Sequence, residues 1–419
     1  MTAICFYFQV HQPLRTKKYR VFDIGTDHGY FNDSSSMNTN NREVFSKVSK
    51  KCYFPANETI LKLLKKYKEF KVSYSFSGVF LEQALEFGNE VIDSFRRLID
   101  TGRVEILSET YYHSLSFFYS KVEFEKQVNL HKNMVKKLFA MDTQVFRNTE
   151  LAYTNELAAW AENSGFRGIL AEGWDPILGW RSPNFVYRPK GTEKIKLLLK
   201  NYKLSDDIAF RFSDKSWSEW PLTSQKYSAW ISEVEKNAQT INLFMDYETF
   251  GEHQWRSTGI FEFLESFPTE ILKNKNIYFA TPSEVISRFK AVGEIDVPAV
   301  LTWADTERDL SAWTGNEIQQ SAIAELYSLE RKILATDDQK IIRDWRMLTT
   351  SDHFYYMCTK WSGDGDVHKY FNPHDSPYDA YINFMNILRD LDLRVENYRR
   401  MARRATGPGG EVNMNNARK

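Results

Sequence analysis

Short apolar runs separated by amphipathic stretches recur along this chain up to about residue 310, and that alternation limits the fold more than any other feature. The runs are AICFYFQV (3–10), KVSYSF (71–76), RVEIL (103–107), TQVFRN (143–148), RGILAEG (167–173), DIAFRF (207–212), INLFMDY (241–247) and NIYFAT (276–281). Between the early runs, NETILKLLKKYKEF (57–70) and TNELAAWAENSGF (154–166) carry apolar residues at helical spacing, the second opening on the capping Thr154 and closing on Gly165. Strand, helix, strand, repeated about seven times, predicts an α/β fold built on a parallel sheet or barrel.

Beyond residue 310 the strand signal stops. Segments 315–335, 339–361 and 376–405 read with helical period and predict a three-helix unit, while the Gly- and Asn-rich end, 406–419, predicts a disordered tail.

Composition narrows the partners. Lys+Arg 55 against Asp+Glu 55 leaves no net charge, so nothing in the electrostatics favours nucleic acid or an anionic membrane. The three cysteines, Cys5, Cys52 and Cys358, have no CxxC spacing and suggest neither a disulfide framework nor a thiolate metal site. A reducing, cytoplasmic setting is expected, for the start MTAICFYFQVHQP lacks the features of a secretory signal and no apolar window is long enough to span a membrane.

In parallel α/β folds the residues just past the carboxyl ends of the strands build the site. Here those positions offer His11; Glu105, Glu109 and His113; Glu150; Glu172 and Asp175; and Asp246 and Glu248, with His253 and Trp255 close behind. Lysines and arginines are few among them. Aromatic residues make up 15% of the chain, and Trp174, Trp180, Trp217, Trp220, Trp230 and Trp255 fall in connecting segments. Carboxylates accept hydrogen bonds from hydroxyl groups and indole faces stack on pyranose rings, so acids with aromatics suit a neutral polyhydroxy ligand. Two such acids could also cleave a glycosidic bond. Each feature has a plainer reading as well: a carboxylate after a strand is commonly a cap or an ion-pair partner, and a loop tryptophan commonly covers an apolar edge.

Other chemistries lack their signatures. There is no HExxH, no i, i+4 histidine pair, no GxGxxG, no GxxxxGK[ST] and no GxSxG. No metal or cofactor is expected, which disfavours a metal-dependent deacetylase on a similar barrel.

Taken in order, HQP (11–13), GRVEILSETYYHSL (102–115), FRNTELAY (146–153), FMDYETFGEH (244–253), AWTGNEIQ (312–319) and SDHFYYM (351–357) resemble glycoside hydrolase family 57, in particular its α-amylase branch. The resemblance implies an incomplete seven-stranded (β/α) barrel over residues 1–308, followed by a helical bundle, 309–405, that closes one side of the cleft. It implies Glu150 as nucleophile and Asp246 as general acid/base, with His11, Glu105 and Asp352 lining the cleavage subsite. Glu248, His253, Trp220 and Trp255 complete the expected substrate contacts, Glu248 also serving to raise the proton affinity of Asp246. One difference stands out: some transferring members carry tryptophan three residues before the nucleophile, where this chain has Arg147. The implied function is retaining hydrolysis of α-1,4-glucosidic bonds in α-glucans or maltooligosaccharides. The alternatives are a 4-α-glucanotransferase or branching enzyme using the same pair, and an inactive glucan-binding homologue. The oligomeric state is left open.

Overall fold

A computed structural model describes residues 1–360 and 372–406, which divide into two compact units. The first contains residues 1–14 and 42–312; the second contains residues 15–41 and those from Trp313 onward. Residues 407–419, most of the expected disordered tail, lie outside the described residues.

The first unit is an incomplete parallel barrel of seven strands: β1 (Thr2–Val10), β2 (Val72–Phe76), β3 (Val104–Ile106), β4 (Val145–Phe146), β5 (Gly168–Glu172), β6 (Lys196–Lys200) and β7 (Thr240–Asp246). Parallel ladders run β3–β2–β1–β7 and β4–β5–β6, and the short strand Ile277–Phe279, within the expected run 276–281, also pairs in parallel with the start of β1. Two seams join them. At one, Ser108 donates its N–H to Val145 O (2.9 Å) and accepts from Arg147 N (2.9 Å). At the other, Asn201 N donates to Asn242 O (2.9 Å) while the Asn242 amide donates to Leu199 O (2.8 Å). A side chain thus supplies a bond that a longer ladder would have made, and this is where the barrel is incomplete.

The sixth strand corrects the sequence reading. DIAFRF was expected to be extended, yet Tyr202–Ala209 is helical and the strand is KLLLK, just before it. Asn201 decides the boundary, its side chain accepting from Leu204 N as an N-cap. A run of four to six apolar residues carries no period that separates strand from helix, so such an exchange costs nothing at the local level.

Side-chain alternation sorts β1 into two cores. Ile4, Phe6, Phe8 and Val10 face outward into the large core shared with the surrounding helices. Ala3, Cys5 and Tyr7 face inward, with Leu107, Leu170, Leu198 and Phe244, onto Val285 and Ile286 of the helix Pro282–Arg288. Above this apolar plug the barrel axis turns polar: the Tyr7 hydroxyl bonds Ser75 and Gln9, and the Gln9 amide donates to Glu109 Oε1 at 2.9 Å. A buried polar layer is stable only when its members are mutually bonded.

One glycine is required. At Gly251, φ is +117° and an added Cβ would lie 1.9 Å from the Lys51 carbonyl oxygen. Gly251→Ala is expected to destabilise the unit by at least about 2 kcal/mol, measured as the shift of the urea midpoint; an unchanged midpoint refutes it.

In the second unit, the helices Glu317–Ser328, Glu330–Leu334, Gln339–Leu348 and Ser351–Tyr355 precede the long helix Pro377–Thr406. Two of the three expected helices are therefore each broken into a pair, the second at Thr350, whose backbone is extended (φ −55°, ψ 128°). Residues 15–41, which the sequence reading kept with the strands, belong here. Asp390 on the long helix accepts from Gly25 N (2.6 Å) and meets His28 Nδ1 (2.8 Å), and Asn383 donates to Thr16 (2.9 Å). No described helix is long and apolar enough to cross a membrane.

Candidate active site

The carboxyl ends of β1, β3, β4, β6 and β7 bring a set of charged side chains together. Glu150 sits in a single 3-10 turn, Thr149–Leu151, directly after β4, with φ 58° and ψ 24°. A non-glycine residue in this left-handed region is strained by about 1–3 kcal/mol and persists only where its surroundings hold it. Of seven such residues among those described, five are His113, Glu150, Leu151, Asp305 and Arg308. Strain is thus concentrated in the segments that build the site.

Glu150 accepts from Trp303 Nε1 through Oε2 (2.9 Å), and Oε1 lies 3.3 Å from His113 Nε2. The other nitrogen of His113, Nδ1, meets Glu109 Oε2 at 3.2 Å. A neutral imidazole has one donor and one acceptor, so it would turn a lone pair toward one of these carboxylates; only the imidazolium satisfies both. Burial opposes that charge, but the bonds to Glu109 and Glu150 prevail and hold the His113 pKa up to about 9. Conversely, burial would raise Glu109, but the bond to His113 and the charges of His113 and Arg147 bring it down to about 2. His11 stacks on His113 with ring centroids 3.8 Å apart and bonds Ser77 Oγ through Nδ1 at 2.6 Å.

Asp246 ends β7. Its pKa is raised to about 6, first by burial and then by the negative charge of Glu150, against the opposing pull of Arg147, His113 and Lys200. The chain does not stay extended after it: Tyr247–Thr249 turns as a 3-10 helix, which sends Glu248 back into the protein. There Glu248 Oε1 accepts from the Tyr53 hydroxyl (2.6 Å) and from His11 N (3.3 Å). Burial and the charge of Asp246 raise the Glu248 pKa to about 8. Burial was an expected cause of the raised proton affinity of Asp246; the charge that adds to it is that of Glu150 rather than of Glu248.

A buried network lies beneath. Lys200 Nζ meets Asp206 (2.9 Å) and Glu172 (3.4 Å), and Arg308 meets the same two acids at 3.4 and 3.2 Å. Arg308 belongs to the loop that carries Trp303, so the network anchors that loop over the carboxyl rim.

The other expected contacts have different surroundings. Glu105 faces the interior at the opposite end of the barrel, where its carboxylate accepts from Ser283 N (2.9 Å) and the Ser283 hydroxyl at the start of Pro282–Arg288. Glu109, two alternations farther up the axis, is the acid that meets His113. His253 follows Glu248 in the turn, its N–H donating to Glu248 O (3.0 Å), and burial lowers its pKa to about 4. Trp220 and Trp255 are 42% and 57% exposed and place their rings beside Lys215 and Lys51. Asp352 belongs to the helical unit, on the first turn of Ser351–Tyr355. Sequence reasoning listed Glu109 and His113 as strand-end residues without giving them a role, and the i, i+4 spacing of an acid and a histidine was the available signal. For Lys200, Trp303 and Arg308 there was none.

Two carboxyl groups in opposed environments at the carboxyl rim of a parallel barrel are the equipment of a glycoside hydrolase. Comparison with known proteins agrees. The model of glycosyl hydrolase family 57 matches residues 5–298, and the chain belongs to that family. A protein of Methanocaldococcus jannaschii, provisionally named an alpha-amylase, is 44% identical over 405 residues, covering 94% of this chain and 85% of its own. Among solved structures, the branching enzyme of Pyrococcus horikoshii is similar with a TM-score of 0.68 at 14% identity, covering 96% of this chain and 91% of that one. The 4-alpha-glucanotransferase of Thermococcus litoralis gives 0.56 at 20% identity, covering 89% of this chain but only 54% of the other.

Proposed function

We propose that the protein hydrolyses α-1,4-glucosidic bonds of α-glucans or maltooligosaccharides with retention of configuration, Glu150 acting as nucleophile and Asp246 as general acid/base. The observation that carries this reading is the divergence of the two environments. Glu150 lies against the His113 imidazolium and accepts the Trp303 indole N–H, while burial and the charge of Glu150 raise the pKa of Asp246 to about 6. In the first step Asp246 gives its proton to the glycosidic oxygen as Glu150 attacks the anomeric carbon. In the second, Asp246 takes a proton from water as water displaces Glu150. The α-glucan substrate is supported by the names of the relatives. The cytoplasm is the expected setting, consistent with three buried, unpaired cysteines.

Purified protein incubated with maltoheptaose is expected to yield shorter maltooligosaccharides only. A second reading, transfer of the glucosyl segment to a sugar hydroxyl, is supported by the similar transferase and branching-enzyme structures. Products longer than seven units would decide for it.

A further inference from the structure

Arg147 is fully buried, and none of its guanidinium nitrogens makes a hydrogen bond with any described residue. A buried cation so placed is costly unless its surroundings compensate it. Those surroundings are particular. The guanidinium carbon lies 4.9 Å from the ring centroid of Trp303, and Nη1 lies 3.9 Å from Glu109 Oε2. Lys200 sets a second cation 5.6 Å from the same indole. A desolvated guanidinium against an indole face is a strong, orienting contact because both groups are planar.

The indole held in this way reaches Glu150 twice: Nε1 donates to Oε2 at 2.9 Å, and the Trp303 backbone N–H donates to the Glu150 carbonyl at 3.2 Å. Its loop is tied down without help from Glu150, through Thr302 N to Arg308 O (2.8 Å), Thr302 Oγ1 to Asp309 O (2.8 Å) and the pairing of Arg308 with Glu172. Trp303 and Arg308 lie beyond residue 298, where the family match ends.

We infer that Arg147 and Trp303 act as a packed pair that positions the nucleophile: the guanidinium braces the indole, and the indole N–H holds Oε2 of Glu150, so that the bond to sugar forms through Oε1, the oxygen 3.3 Å from His113 Nε2. This rests on the reading of Glu150 as nucleophile. In the first step the C1–Oε1 bond forms while C1 parts from the glycosidic oxygen, which leaves with the proton of Asp246. Oε2 becomes the carbonyl oxygen of the ester and keeps its N–H donor. In the second step the water oxygen bonds C1, the C1–Oε1 electron pair returns to the carboxylate, and the water proton passes to Asp246. Negative charge builds on Oε2 as the carboxylate departs, so the indole N–H stabilises that departure. Arg147 touches neither substrate nor reacting atoms and is a positioning residue; it acts through Trp303.

The test uses 5-fluoro-α-glucosyl fluoride, an activated sugar that slows both steps so that the covalent intermediate accumulates. In the parent, mass spectrometry of peptides is expected to find one sugar on Glu150. Trp303→Phe keeps a ring against Arg147 and removes the N–H. It is expected to regain activity from the trapped state roughly tenfold to a hundredfold more slowly, the effect of one hydrogen bond to a charged group. KM for maltoheptaose should not rise, and the melting temperature should stay near the parent value. Arg147→Lys keeps the charge, removes the planar group, and should slow the same step to a smaller extent; it gives the same reading should Trp303→Phe fail to fold. Unchanged reactivation in a folded variant that still traps sugar on Glu150 overturns the positioning role alone. An unlabelled Glu150 in the parent overturns the nucleophile assignment, and the inference with it.

Discussion

Asp246→Asn is expected to lower turnover of maltoheptaose by about 10²–10⁴-fold, the usual contribution of a positioned general acid, and Glu150→Gln to abolish it within detection. The two losses have different origins, and azide separates them. In Glu150→Gly, azide can enter the vacated space and attack an activated α-glucosyl fluoride from the face the carboxylate used, giving the β-glucosyl azide. In Asp246→Ala, the covalent intermediate still forms from the fluoride, and azide replaces water in the second step, giving the α-glucosyl azide. The same anomer from both variants, or turnover of maltoheptaose surviving in either single variant, would dismiss the assignment. The pH dependence follows from the same pair. Asp246 must be protonated to start the reaction, so kcat/KM should fall as pH rises through about 6. The His113 imidazolium, with its pKa raised to about 9, persists through that interval and does not set the limb. In Asp246→Asn the fall near pH 6 should vanish.

The largest structural effect is expected at Lys200. Replacement by Met keeps most of the volume and removes one of two cations that compensate Glu172 and Asp206; Lys200 and both acids are buried. Breaking a buried ion pair from one side costs about 3–5 kcal/mol, because the remaining charge is left uncompensated. Lys200→Met should therefore lower the unfolding free energy by that amount in urea titrations. Burial already raises the pKa of Glu172, so proton uptake there limits the cost. Adding Glu172→Gln to Lys200→Met should for that reason recover part of the loss. A single variant as stable as the parent would mean that Arg308 alone suffices to hold both acids.

Much of this protein was determined locally. The repetition of strand and helix, the N-cap at Thr154, and acids placed at the ends of strands are written in neighbouring residues, and short-range backbone and side-chain preferences are enough to read them. That Glu150 and Asp246 follow strands was legible because the extended or turning character of each run is local. The tertiary structure alone decided the rest. Glu105 and Glu109 share a side of one strand direction and differ by four residues, roughly 13 Å along an extended chain. Only the barrel shows that one faces the closing helix and the other the catalytic rim. KLLLK and DIAFRF are alike in local apolar content, and their assignment depends on which run the neighbouring strands accept. Residues 15–41 join the helical unit through Asp390, more than 340 positions away. The partners of Glu150 arrive from residues 113 and 303, and the charge state of His113 is set by what both its nitrogens meet. A proton affinity or the orientation of a carboxylate depends on groups brought close by folding, and spacing along the chain carries no record of that distance.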